Sequence, residues 1–187
     1  MILHKLGRVL RNQKGFTAIE MLVAVAISGA IGGGILLSIY QTTSYQAVDR
    51  ARMSCIKDLE NAIHYIVQDA QMAQKIVLAE DDDSFPLTLS WTEWDVNSLE
   101  YEHVVTYTLT GSQSSEMERK HLAYDTAGSE TRNDVNIVAS NIEADYTKTN
   151  CAYAGGVLSL ELTAKITGFP KEISESRDVE IVRRTDW

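Results

Sequence analysis

From Phe16 to Ile39 the chain runs for 24 residues with a single charged side chain, Glu20. That is enough to cross a bilayer as a helix, which takes about 20 predominantly apolar residues. In hydrocarbon each backbone N–H and C=O must find its partner inside the protein, and a lone segment achieves this as a helix. The acid is the anomaly. A carboxylate within a membrane is costly, and residues of this kind mark a function with a specific partner. The chain must therefore supply an anchor, a use for Glu20, and a body outside the membrane for most of its 187 residues.

Residues 1–15 contain Lys5, Arg8, Arg11 and Lys14 and no acid. The excess of Lys and Arg before the apolar run predicts a cytoplasmic N-terminus and export of everything after residue 40. A secretory signal peptide is the rival, but its apolar region spans about 7–15 residues with a small-residue cleavage site behind it. Here the apolar run is longer, and the small-residue step, Lys14-Gly15, stands in front. Without residues 1–15 the chain keeps 13 Lys plus Arg against 26 acids, moving the net charge from −9 to −13. Such a body is a poor partner for nucleic acid, whose phosphates require clustered Lys and Arg. Cys55 and Cys151 both fall on the exported side, where an oxidising compartment permits a disulfide. They allow one pairing, so the sequence leaves a Cys55–Cys151 bridge and two thiols as alternatives.

Beyond Ile39 the pattern becomes amphipathic. Ile56, Leu59, Ile63, Ile66, Ala70, Ala73 and Val77 recur at steps of three and four, and Lys57, Asp58, Glu60, Asn61, His64, Gln68 and Gln71 fall elsewhere on the wheel. No helix stop precedes Leu78, so one helix is expected from about Phe16 to Leu78. Glu80 to Ser84, with Pro86 behind them, read as the loop that ends it. The period then drops to two. Leu158, Leu160, Leu162, Ala164 and Ile166 alternate with polar residues, and Val105, Tyr107 and Leu109 do the same. Weaker strands are expected at 87–91, 120–124, 135–139, 142–146 and 179–183. The expected fold class is α+β: a long N-terminal helix with an antiparallel sheet packed on its C-terminal half. The expected organisation is a basic leader at 1–15, a transmembrane helical segment at 16–39, its amphipathic exported continuation at 40–78, and a globular sheet domain at 79–187.

The stretch Lys14-Gly15-Phe16-Thr17-Ala18-Ile19-Glu20 resembles the class III signal of type IV pilins and pseudopilins: a short basic leader, a glycine, then phenylalanine with an acid four residues on. The resemblance implies cleavage between Gly15 and Phe16 by a membrane prepilin peptidase and N-methylation of Phe16. It also implies the pilin-like fold, and partners among other pilin or pseudopilin subunits, an inner-membrane assembly platform and membrane lipid. The physical logic can be stated independently. Cleavage exposes an α-amino group on Phe16, one helical turn before Glu20. A neighbouring subunit shifted along its axis brings its Glu20 against that amine, and a wrong register leaves two charges unpaired, which costs several kcal/mol. Glu20 is thus expected to pin the register of parallel helices.

Ala26, Gly29 and Gly33 set small residues at three- and four-residue steps, a face that lets membrane helices approach closely. Gly32, Gly33 and Gly34 also weaken the helix, by about 1 kcal/mol each relative to Ala in water. Pilins often carry a proline in this region, and this run has none, so the triplet is a candidate soft segment alongside a plain lipid-facing helix.

The short signatures of catalysis, HExxH, GxSxG, the P-loop and CxxC, are missing, so no enzyme activity and no cofactor are expected. His64, His103 and His121 lack metal-ligand spacing and read as surface or packing residues. The acids at 80–83 lack the spaced ligands and turn glycine of a calcium loop, and no metal is expected. Trp91 and Trp94 read as a satellite cluster on a polar loop. The later order of the chain, a strand ending VVTYTL, a charged turn at Glu118-Arg119-Lys120, VNIVASNIEADY, and the strands LSLELTAKI and VEIVRR, resembles the J-type minor pseudopilins of type II secretion. The expectation is a structural subunit of a pilus-like filament or secretion pseudopilus in a tip or initiation position. A membrane-anchored tip adhesin and a competence pseudopilin for DNA uptake are the alternatives. The expected location is the cytoplasmic membrane, single-pass, with the body periplasmic or extracellular, and then a filament.

Overall fold

The computed structural model describes residues 15–79, 85–96, 98–111, 115–168 and 172–182. The leader before Gly15 and the acidic stretch Glu80–Ser84 lie outside the described residues. Helix α1 spans Ala18–Met72, and the strands that follow are β1 (Lys75–Val77), β2 (Leu87–Trp94), β3 (Glu100–Thr110), β4 (Ser115–Tyr124), β5 (Glu130–Ile142), β6 (Asn150–Ala154), β7 (Val157–Ile166) and β8 (Ile173–Val182). The fold is α+β. The chain divides into two compact units, one ending at Gln46 and the other starting at Ala47.

In the first unit α1 is predominantly apolar as far as Ile39. By length and composition it can cross a membrane, and none of its most apolar window is buried inside the protein. The second unit holds the core. Cys55, Leu59, Ala62, Ile66 and Ala70 of α1 are buried together with Leu87, Leu89, Val105, Tyr107, Leu158, Leu160 and Leu162 of the sheet. Burying one such aliphatic side chain contributes about 1.5–3 kcal/mol.

All strand pairs among the described residues are antiparallel. β1 to β5 form a meander, β6, β7 and β8 form a second group, and a single register pair, Ile142 with Ala164, joins the two through β5 and β7. The β6–β7 hairpin turns on Gly155 and Gly156 at φ 61° and 84°. Ala154 pairs with Val157, leaving a two-residue loop with both central residues left-handed, and glycine adopts that without a Cβ penalty. The alternation expected in β7 is present, with Leu158, Leu160, Leu162 and Ala164 all buried. Val105 and Tyr107 are buried in β3 as their period predicts.

Four expectations are corrected. The helix stops at Met72, well short of Leu78. Its last turn tightens, with Ala73 N–H donating to the Ala70 carbonyl at 3.3 Å. The chain then joins the edge of β2: Gln74 N–H donates to the Ser90 carbonyl at 2.9 Å, and Ile76 and Val77 pair with Leu89 and Thr88. The open edge of β2 offers backbone bonds, and β-branched residues suit a strand. Half-buried Ile76 thereby takes the place expected of Val77, which is 44% exposed. Second, Glu118-Arg119-Lys120 lie inside β4, where pairing with β3 and β5 consumes their backbone groups. Third, the strands expected at 135–139 and 142–146 are one strand that ends at Ile142. Asp145 stops any extension by accepting Thr147 N–H and hydroxyl at 3.0 and 2.7 Å, an Asx turn. Fourth, Trp91 lies within β2 and is 8% exposed, while Trp94 at its end is 62% exposed.

Candidate functional site

Among the described residues three constellations bear on the expected site residues, the join of α1 to the sheet and the histidines, and the first is the start of α1. Thr17 N–H and hydroxyl both donate to Glu20 Oε2, at 2.8 and 2.9 Å, and Glu20 N–H donates back to Thr17 Oγ1 at 3.3 Å. This reciprocal arrangement is a capping box: the residue before the helix and the third residue inside it satisfy donors that the first turn leaves unpaired. A carboxylate there also meets the positive end of the helix dipole. Within the single chain Glu20 therefore already has a partner of its own. Both contacts use Oε2, and Oε1 makes no hydrogen bond among the described residues. Phe16, the residue at the expected cleavage point, is 82% exposed.

The small-residue face lies further along. A Cβ placed on Gly29, Gly32, Gly33 or Gly34 would meet nothing within 4 Å. Nothing among the described residues crowds these glycines, so their small size leaves room for an approaching neighbour.

The second constellation ties α1 to the sheet. Asp69, 2% exposed, accepts Arg119 Nε at 2.7 Å and an Arg119 Nη at 2.8 Å, and the Tyr107 hydroxyl donates to Asp69 Oδ2. The Arg119 guanidinium lies 5.8 Å from the centroid of the Tyr65 ring. Burial and the Asp69 charge push the Tyr107 hydroxyl far above its ordinary range, so it stays a donor. Hydrogen bonds to Asp69 hold Arg119 more firmly protonated. This is a fully partnered clamp of α1, β3 and β4. The sequence carried one signal for it: Asp69 falls on the buried face with Ala62, Ile66 and Ala73, where an acid needs a cation.

The third constellation joins residues that looked separate in sequence. His103 Nδ1 and His121 Nε2 are 3.0 Å apart, and the His103 ring stacks on Trp91 with centroids 5.2 Å apart and planes 7° from parallel. Glu93 Oε2 lies 3.3 Å from His103 Nε2. The β3–β4 register, in which His103 faces Ala123 and Val105 faces His121, makes the two imidazoles diagonal neighbours. His64 stays apart and meets Tyr65 edge-on at 5.8 Å. Among the described residues no group of three His, Cys, Asp or Glu side chains is placed to hold a metal.

Cys55 and Cys151 are both thiols in the core. Cys151 pairs with Leu160 of β7, and Cys55 lies on the buried face of α1. The candidate bridge is not made. Burial raises both thiols, Cys151 to about 12, which leaves neither reactive as a thiolate.

Compared with known proteins, residues 10–36 match the family described as the prokaryotic N-terminal methylation motif. No curated protein and no solved structure matches the chain at a significant level.

Proposed function

We propose that the chain is a pilin-type structural subunit, and specifically a minor subunit of a filament tip; the methylation motif matched at residues 10–36 and the long helix with its antiparallel sheet support this reading. Prepilin peptidase cleaves between Gly15 and Phe16 and methylates the new amine of Phe16. The basic leader stays cytoplasmic, residues 16–39 hold the subunit in the inner membrane, and the acidic body is exported. An assembly platform then transfers the subunit from lipid into a type IV pilus-like or type II secretion filament. Glu20 of one subunit pairs with the Phe16 amine of its neighbour, and the face of Ala26, Gly29 and Gly33 lets the helices close.

One observation carries this reading: a lone acid in an uninterrupted apolar run, one helical turn past the Gly15-Phe16 step. The capping box supports it. Thr17 holds the carboxylate through Oε2 alone, which leaves Oε1 without a hydrogen bond among the described residues and open to a neighbour's amine. The reading is structural rather than catalytic.

The test has two parts. Mass spectrometry of the mature protein is expected to show a chain beginning at Phe16 and carrying one added methyl group. A Glu20→Gln chain is expected to be processed normally yet fail to enter filaments. A mature protein that retains residues 1–15, or normal incorporation of Glu20→Gln, overturns the proposal.

A membrane-anchored tip adhesin has one observation in its favour. The β2–β3 connection exposes Trp94, Val96 and Leu99, with Val96 at 95%. A competence pseudopilin that touches DNA directly is disfavoured by the net −13 of the processed chain.

A further inference from the structure

The paired imidazoles lie outside everything derived so far. A hydrogen bond between two ring nitrogens holds one proton, with one ring donating and the other accepting. If a single proton is added to the pair, the bond survives, because one ring still accepts. A second added proton leaves two N–H groups opposed and two cations with nitrogens 3.0 Å apart. The surroundings cannot absorb that charge. His121 is 5% exposed. β4 presents Arg119 and β5 presents Arg132 to it, and the nearby acids are engaged: Asp69 of α1 by Arg119, and Asp134, opposite His121 in β5, by Arg132 at 2.5 Å. The remaining acid, Glu93 of β2, lies on the far nitrogen of His103.

We propose that His103 and His121 form an acid-sensitive latch on the β2–β3 hairpin: when both rings are protonated the bond between them breaks, Trp91 unstacks, and the hairpin loosens from β4. The stack of Trp91 on His103 and the bond of His103 to His121 join three adjacent strands in one row. Past that row the hairpin ends in the exposed Trp94, Val96 and Leu99, so the latch governs the presentation of an apolar tip.

The sign follows from burial. Desolvation, then the charges of Arg132, Arg119 and His103, pull the His121 imidazole down to about 4. In the opened hairpin it titrates near its ordinary value of about 6.5. The closed form thus binds fewer protons than the open form between these values, and opening becomes easier as pH falls through that window. One proton makes this up to tenfold per pH unit.

The experiment is hydrogen exchange of the full chain in detergent micelles from pH 7 to pH 4, corrected for intrinsic amide rates. Amides of residues 91–94 and 101–103 are expected to lose protection by up to tenfold per pH unit below about 6.5, while those of β7 hold. His121→Phe keeps the ring and removes the proton site, so its protection is expected to be flat with pH. His103→Asn, which keeps a donor at the same place but removes the second charge from the pair, is the second variant and is expected to reduce the slope. A wild-type slope that is the same in the hairpin as in β7 overturns the latch without recourse to any variant. So does an unchanged slope in whichever variant folds.

Discussion

The two stretches of α1 on either side of Gln46 are the same secondary structure held for opposite reasons. Before the boundary Ile19, Leu22, Leu36 and Ile39 are 71, 68, 69 and 57% exposed. After it Cys55, Leu59, Ala62 and Ile66 are fully buried against strands. The first stretch reads as a helix whose solvent is hydrocarbon, where apolar side chains have no need of a protein partner and backbone bonding alone imposes the helix. The second is an amphipathic helix stabilised by tertiary packing, as most helices in water are. The difference shows that exposure has no single meaning along this chain. Below Gln46 exposed leucines fit lipid, and above it the leucines of the helix and of β7 are buried.

The clamp is where the second stretch should break first. Asp69→Ala leaves the buried Arg119 charge unpaired, and removing one partner of a buried pair costs about 3–5 kcal/mol. Denaturant unfolding of the full chain in micelles, followed on the sheet domain, is expected to show that loss; an unchanged midpoint would mean that the clamp contributes nothing. Next in size is a matched pair of leucines. Leu59→Ala in the core is expected to destabilise the body by about 2–5 kcal/mol, and Leu36→Ala to leave its midpoint where it was. Equal losses at the two sites would erase the contrast between the stretches.

The glycine triplet sharpens the first stretch. Replacing Gly32, Gly33 and Gly34 with Ala meets no clash within the chain and favours helix by about 1 kcal/mol per residue in water. Circular dichroism is expected to show helix content retained, while incorporation into filaments falls. Normal incorporation would assign the glycines to a plain lipid-facing surface. The smallest effect belongs to Arg52. Its bond to Glu175 is short at 2.6 Å, yet its side chain is 63% exposed, and surface ion pairs contribute little. Arg52→Ala is expected to leave the unfolding midpoint unchanged within error.

Periodicity made much of this fold legible. The apolar alternation of β7, the Val105–Tyr107 face of β3 and the stripe through Leu59 and Ile66 all came from spacing along the chain. The end of α1 did not, because Lys75 to Leu78 continue a helical pattern and turn into strand only where β2 offers a free edge. Arg119 looked like part of a charged turn for a related reason. In sequence it sits between Glu118 and Lys120, and only pairing on both sides of β4 turns it toward Asp69.

What the sequence alone determined is local: a basic N-terminal stretch, a Gly15-Phe16 step, one acid in an apolar run, and the period of each element. These follow from short-range rules of insertion, capping and side-chain alternation, which act over a turn or two of chain. What the tertiary structure decided is pairwise and distant. Asp69 meets Arg119 across 50 residues, His103 meets His121 across 18, and the two cysteines stay unbridged in the core. Such partners are fixed by strand register and by the face of α1 that each strand covers, and both of these exist only once the core has closed.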